Sequence, residues 1–274
     1  DRVAVAQLLT AGVKQREAQI FRAIAESTGV SSIVEMPSAE HQEREGFQVE
    51  PRVVHGEPVS ELRFRELGFE YALPLTAAQK TGFYFDQRDN RARVEKLCRG
   101  RRVLDAFCYM GSFSLAAARG GAREVLAIDR SDGALAAGRE AAARAGLAER
   151  IRFERADVKK HLPELIVRGE RFDVVILDPP KLAHSQKHID RARTAYRAWN
   201  AQAFRLLEPG GLLVTCSCSA AMQSHDFVRT LALASADAGR EASLLELGEQ
   251  SPDHPTPPAF DEGRYLKAAF LRVR

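Results

Sequence analysis

The sequence predicts an α/β protein built on a mostly parallel sheet with one antiparallel strand, preceded by a smaller N-terminal α+β domain. Three observations predict it. From Arg102 onward, short apolar runs alternate with stretches of helical spacing. Those apolar runs are nearly continuous, as strands covered on both faces are. The last two strand-like runs have no helix between them, so one of them runs antiparallel.

The elements follow in order. Residues 1–75 read as the small α+β domain and 76–274 as the larger one. In the first, "VAVAQLLTAGV" reads as a strand. "REAQIFRAIAESTGV" has helical spacing and ends on a glycine, and "SSIVEM" and "LRFRELGFEYAL" read as strands. A linker is expected near "PLTAAQKTG". In the second, "RVLDAF" is the first strand and "SFSLAAARG" its helix. "EVLAID" is the second strand, followed by a helix with Ser131 as N-cap and Gly146 just past its end. "IRFERAD" and "FDVVILD" are the third and fourth strands, and a helix runs from about His188 to Leu207. "GLLVTCS" is the fifth. A helix around "HDFVRTLALASADAG" and strands at "SLLEL" and "RYLKAAFLRV" close the chain.

Composition narrows the class. The chain has 274 residues, of which 45% are hydrophobic, and its longest apolar runs fall well short of a membrane span. No secretory signal opens it, so a cytoplasmic protein is expected. It begins at Asp1 rather than Met, so upstream sequence is expected. A net charge of +3 permits an anionic partner without demanding one. The basic residues cluster, however. "DQRDNRARVEKLCRGRR", Asp86 to Arg102, holds seven basic residues and three acidic ones. That stretch is either a solvated helix face or a phosphate-contacting surface, to which Arg88, Arg91 and Arg93 are the candidates.

The strand ends carry the chemistry. Asp105, Asp129, Asp157 and Asp178 close the first four strands, and Cys218 closes the fifth. In a parallel sheet these ends share one edge, where ligands of open α/β sheets bind. One such aspartate is ordinarily a turn or cap residue; four in series with a thiol point to a ligand. An acidic residue at the second strand's end suits the hydroxyls of a ribose. The first turn, "DAFCYMGSF", has only Gly111 where a dinucleotide fingerprint has three glycines, so a pyrophosphate fits badly. A nucleoside with an amino-acid tail fits better, which describes S-adenosylmethionine. "LDPPK" then freezes a carboxylate, Asp178, behind Pro179 and Pro180. Its chemistry suits the edge of a planar nitrogen-containing ring, with Lys181 beside it.

The four cysteines, Cys98, Cys108, Cys216 and Cys218, have neither disulfide-framework nor zinc spacing, so no metal is expected. Cys216 and Cys218 would share a strand face, with only the later one reaching the mouth.

Five stretches together resemble the class I, Rossmann-like methyltransferases, and more closely the bacterial large-subunit ribosomal RNA cytosine-5 methyltransferase I family. They are "QKTGFYFDQRDNR", "VLDAFCYMGSFSL", "LDPPK", "TCSCS" and "DHP…EGRYLK". The resemblance implies S-adenosylmethionine as donor and an unpaired or flipped cytosine of ribosomal RNA as acceptor. It implies that Asp105 and Gly111 lie near the methionine part, Asp129 at the ribose and Asp157 near the adenine amino group. It also implies that Lys80 and Phe83 close over the donor, and that Cys218 is the nucleophile with Asp178 on the base edge. An N-terminal PUA-type RNA-binding domain is implied too, and the 274 residues hold no counterpart of it. A second departure is Ala78, where the family usually has Gly before Gln.

The chemistry is consistent with that reading. Carbon 5 of cytosine is a poor nucleophile until a thiolate adds at carbon 6. An amino-group methyltransferase acting on adenine or guanine would keep the DPP loop and need no thiol. A nicotinamide oxidoreductase would want the missing glycines, and a noncatalytic RNA-binding module would want more positive charge. The sequence leaves a homodimer open and does not identify the base that removes the carbon-5 proton.

Overall fold

A computed structural model describes residues 2–78, 81–183, 185–260 and 263–274, with the side chains of residues 39 and 40 left aside. The chain forms two compact units, Asp1–Arg65 with Glu70–Tyr84, and Glu66–Phe69 with Phe85–Arg274.

In the first unit, β1 (Val3–Ala6) pairs parallel with β2 (Ser32–Glu35), which pairs antiparallel with β3 (Arg52–Gly56). The strand expected through "VAVAQLLTAGV" stops early. Thr10 caps a short helix, α1 (Ala11–Lys14), and competes with extension of the strand. α2 (Glu17–Thr28) ends on left-handed Gly29 and packs Phe21 against Leu8 and Ile33. Buried Glu35 accepts from Lys14 Nζ at 2.6 Å and Arg52 Nε at 2.9 Å. The sequence reading passed over α3 (Ala39–Glu45) and β3, whose stretch is polar and without clear periodicity. β4 (Glu61–Glu66) and β5 (Phe69–Pro74) form a hairpin whose tip belongs to the second unit.

The second unit begins with α4 (Arg88–Leu97). Then come β6 (Arg102–Ala106), α5 (Ser112–Arg119), β7 (Glu124–Asp129), α6 (Asp132–Arg144), β8 (Ile151–Arg155) and α7 (Val158–Val167). β9 (Phe172–Leu177), α8 (Ile189–Leu206), β10 (Leu207–Ser217), α9 (Ser224–Asp237), β11 (Ala242–Gly248) and β12 (Lys267–Val273) complete it. The sheet order is β11-β12-β10-β9-β6-β7-β8, and β12 runs antiparallel to both its neighbours. The fold is therefore the expected mostly parallel sheet with one reversed strand. Ser131 caps α6 as its sequence predicts, accepting from the Ala134 N–H. α7, absent from the sequence reading, carries Pro163 inside it, a residue that ordinarily argues against a helix.

Period-two alternation sends successive strand residues to opposite faces. Leu104, Ala106, Leu126, Ile128, Val175, Leu177 and Leu213 join one core with α7, α8 and α9, including Leu162, Phe204 and Phe227. Asp105 lies between two of those positions and points the other way, where Ser114 of α5 meets it. The burial of the sheet on both faces is what makes its strand ends the open edge.

Candidate active site

The second unit's carboxyl edge divides into two halves. The first is built by β6, β7 and β8. Asp105, near the end of β6, is fully buried, and one carboxylate oxygen accepts from the Ser114 hydroxyl at 2.6 Å. The other oxygen, Oδ1, has no hydrogen-bond partner. Burial pushes this carboxyl up to about 7, against the Ser114 hydrogen bonds that hold it down.

The turn after it is strained. Phe107, Tyr109 and Gly111 all take positive φ, at 64°, 51° and 66°. For Phe and Tyr such backbone costs about 1–3 kcal/mol each and persists where the surroundings over-determine it. Here the Cys108 N–H is held by Ile128 O at 3.0 Å and the Tyr109 N–H by Asp129 Oδ2 at 3.0 Å. Gly111 has no substitute, because a Cβ there would stand 2.5 Å from Phe153 Cε1.

Asp129 ends β7, half-buried. Its two oxygens accept from Tyr109 N and Ser131 N, which leaves a lone-pair site on each. Asp157 follows β8, exposed, and caps α7 by accepting from the Lys159 N–H at 3.0 Å. This half thus offers a buried unpaired acceptor and two half-used carboxylates along a narrow, rigid turn. That donor set fits a ligand rich in hydroxyl and amine hydrogens.

The second half is built by β9, β10 and β12. Asp178 follows β9, with buried Pro179 and exposed Pro180 and Lys181 after it. Asp178 Oδ1 accepts from Gln87 Nε2 at 3.1 Å, and Gln87 is itself held by Asn90 at 2.7 Å. Burial pushes the Asp178 carboxyl up to about 7, with the Asp86 carboxylate adding to the rise and Arg91 opposing it. The loops after β9 and β10 are stitched together where the Ala183 N–H reaches Ser219 Oγ at 3.1 Å.

The cysteines separate by burial. Cys216 is fully buried in β10, and burial together with Asp178 pushes its thiol well up. Cys108 is pushed well up and Cys98 to about 12, both chiefly by burial. Only Cys218, just beyond β10, keeps partial exposure. Buried thiols with raised pKa values are inert, whereas an accessible one beside a polar loop can react.

One of the expected residues falls elsewhere. Arg91, a candidate for phosphate contact or for a solvated helix face, is neither, being buried and paired to Glu66 at 2.9 Å. Phe83, expected to close over the donor, belongs to the first unit and packs there against Phe64 and Tyr71, at centroid distances of 4.6 and 5.1 Å. Lys80 lies outside the described residues. Of the other arginines, Arg88 stays half-exposed with Asp253 at 3.4 Å, and Arg93 pairs with Glu246 at 2.6 Å.

Residues the sequence reading assigned no role also converge here. Asp86 is buried and accepts from the Tyr265 hydroxyl at 2.7 Å. Lys267 is buried and donates to Ser219 O at 2.7 Å and Tyr265 O at 2.8 Å. The signal was available in "FDQ" and "RYLK", but nothing in the sequence says that stretches so far apart meet.

Comparison with known proteins decides the family. A family model described as S-adenosylmethionine-dependent methyltransferase matches residues 22–272. The chain belongs to that family. The methyltransferase is 41% identical over 272 residues to "Ribosomal RNA large subunit methyltransferase I" of Aeromonas salmonicida, covering 98% of this chain and 69% of that one. It is 39% identical over 272 residues to the protein of the same name from Tolumonas auensis, covering 98% and 68%. Among solved structures, SMU.776 complexed with SAH superposes with a TM-score of 0.83 at 20% identity, over 99% of this chain and 69% of that one. The M. jannaschii tRNA m1G37 methyltransferase superposes with a TM-score of 0.67 at 16% identity, over 100% and 74%. Both structural likenesses speak for the fold. S-adenosylmethionine is thus the methyltransferase's donor. Among the described residues, no helix is long and apolar enough to cross a membrane, and no group of three or more His, Cys, Asp or Glu side chains could hold a metal ion.

Proposed function

We propose that this methyltransferase modifies carbon 5 of a cytosine in large-subunit ribosomal RNA through a covalent adduct on Cys218. The observation that carries the reading is that Cys218 alone of the four cysteines keeps partial exposure, while its neighbour Ser219 ties that loop to the one after Asp178 through the Ala183 N–H. The names of the relatives from Aeromonas and Tolumonas supply the RNA class.

In this reading Asp105, Gly111, Asp129 and Asp157 hold the donor. The unpaired Asp105 oxygen supports contact with its amino-acid end, and the spare lone pairs of Asp129 suit a ribose diol. When bound, S-adenosylmethionine supplies a methyl group on a sulfonium that leaves as S-adenosylhomocysteine. The Cys218 sulfur forms a bond to carbon 6 of the cytosine, and Asp178 gives its proton to the ring nitrogen as electrons move toward carbon 5. A carboxyl with its pKa near 7 is suited to giving and recovering that proton. After carbon 5 has taken the methyl, a base removes its proton. The sulfur–carbon bond then breaks, the thiolate is released, and Asp178 regains its proton from the ring nitrogen. Pro179 and Pro180 keep the carboxyl still, and Lys181 and Arg88 are free enough to meet phosphate. The cytosine must be unpaired or flipped to enter. The small N-terminal α+β domain is the RNA-contacting module in this scheme, and the cytoplasm, where ribosomal RNA is modified, is the compartment.

The test uses labelled donor, unmodified ribosomal RNA and nucleoside mass spectrometry. We expect 5-methylcytidine, a trapped adduct with RNA carrying 5-fluorocytosine, and loss of both with Cys218→Ala. Methylated adenine or guanine, formed as fast by Cys218→Ala as by the wild type, would instead establish an amino-group methyltransferase that uses the DPP loop alone.

A further inference from the structure

Among its described residues the second unit buries one arginine and one lysine, in contrasting ways. Arg91 has a carboxylate partner, Glu66, at 2.9 Å. Lys267 is 3% exposed, and among the described residues no carboxylate lies within ion-pair distance of it. Its Nζ is held by two carbonyls, Ser219 O and Tyr265 O. A buried ammonium without an anion is costly, and such groups are paired or serve a site. Carbonyls satisfy hydrogen bonds but not charge, so the fold has left this cation short of a counter-ion.

Its position supplies one. Lys267 opens β12 directly opposite Ser217, the last residue of β10. Cys218 is the next residue, and the carbonyl that fixes the ammonium belongs to the residue after that. The Cys218 sulfur is near enough to favour the charged form of the lysine. Tyr196 of α8 and Tyr265 before β12 also interact with this thiol, and Asp178 after β9 and Asp86 before α4 face Cys216, two residues earlier in the chain. Each of these becomes negative or stays neutral on titration, so each opposes a thiolate or leaves it unsupported. Of the groups named here, Lys267 is the one that carries positive charge.

We infer that Lys267 is the positioning residue that stabilises Cys218 as a thiolate, fixed in place by the carbonyls of Ser219 and Tyr265. This rests on the nucleophile role proposed for Cys218. An ordinary thiol is only about 3% ionised at pH 7, and one whose pKa falls to about 7 is half ionised. The lysine remains mostly protonated at neutral pH, since burial, partly offset by the Cys218 charge, lowers it only to about 8. A thiolate next to it keeps it charged, and it in turn keeps the thiolate.

The experiment follows the pH dependence of iodoacetamide alkylation at Cys218 by peptide mass spectrometry on the intact chain. The wild type is compared with Lys267→Met and Lys267→Arg. We expect Lys267→Met to move the alkylation midpoint up by about one pH unit, a tenfold smaller thiolate fraction at neutral pH. Lys267→Arg should restore most of it. Calorimetry with S-adenosylhomocysteine should give the same affinity for all three, which checks folding. A midpoint unmoved in a folded Lys267→Met protein overturns the inference, even if turnover drops. Should that variant fail to fold, the coupling is read in reverse: Cys218→Ala should lower the Lys267 titration seen by NMR of the labelled lysine. An unchanged lysine titration would equally overturn it. Neither readout needs RNA, so failure of the cytosine-5 reading shows separately, as methylation that survives Cys218→Ala.

Discussion

The two halves of the carboxyl edge are built on different plans. At β6, β7 and β8 the polar groups sit within a few residues of their own strand ends and are held by local backbone. Asp129 braces the Tyr109 and Ser131 amides, and Asp157 caps the helix that follows it. At β9, β10 and β12 the groups are held by residues distant in sequence. Gln87 reaches Asp178 across 91 positions, Tyr265 reaches Asp86 across 179, and Lys267 reaches Ser219 across 48. The first half is a rigid receptor formed by turns. The second is an ionisable cluster whose proton affinities depend on what the tertiary fold packs around it. On the proposed function, the former holds the donor and the latter meets the acceptor base.

That contrast can be broken by substitution, and the largest effect belongs to the second half. Asp178→Asn keeps the Gln87 contact within reach but cannot donate and recover a carboxyl proton. Turnover should fall about a hundredfold or more with donor affinity unchanged, as measured by single-turnover methyl transfer and calorimetry. The alkaline limb of the wild-type rate, as Asp178 loses its proton above about 7, should vanish in the variant. A variant that retains full turnover would remove Asp178 from the chemistry.

The next effect lies in the first half. Asp129→Ala removes two acceptors for the donor and the brace on the strained turn. S-adenosylhomocysteine affinity should drop about ten- to a hundredfold, the scale of one or two charge-assisted hydrogen bonds. Affinity within twofold of wild type would mean that the ribose lies elsewhere.

The smallest effect concerns stability, and its sign is informative. The Asp105 carboxyl has a folded pKa near 7, raised from 3.8. Between about pH 4 and 7 the folded chain therefore binds more protons here than the unfolded chain. Stability is greatest at the acid end of that window and falls as pH rises through it. Asp105→Asn carries no charge and should be more stable than the wild type at pH 8 by a few degrees in Tm, with little difference at pH 5. Equal Tm shifts at both pH values would show that the carboxyl is not held in its neutral form. A gain in stability with a loss of donor binding is the usual trade at a functional site.

Much of this was legible beforehand. Apart from α7, the order of strands and helices from Arg102, the Ser131 cap and a reversed strand among the last two all follow from local patterns, because periodicity and capping are properties of neighbouring residues. The row of aspartates and Cys218 was legible for the same reason, since parallel strands end on one edge. Arg91 was misread because charge says nothing of direction. Buried Glu66 turned the arginine inward.

The sequence by itself determined the sheet, its open edge and which chemical groups stand along it. Only the tertiary structure decided which of those groups are charged, which are buried and which meet. Periodicity is set by residues a few positions apart, whereas a proton's affinity is set by everything packed within a few ångströms, and at this edge those neighbours come from both ends of a long chain.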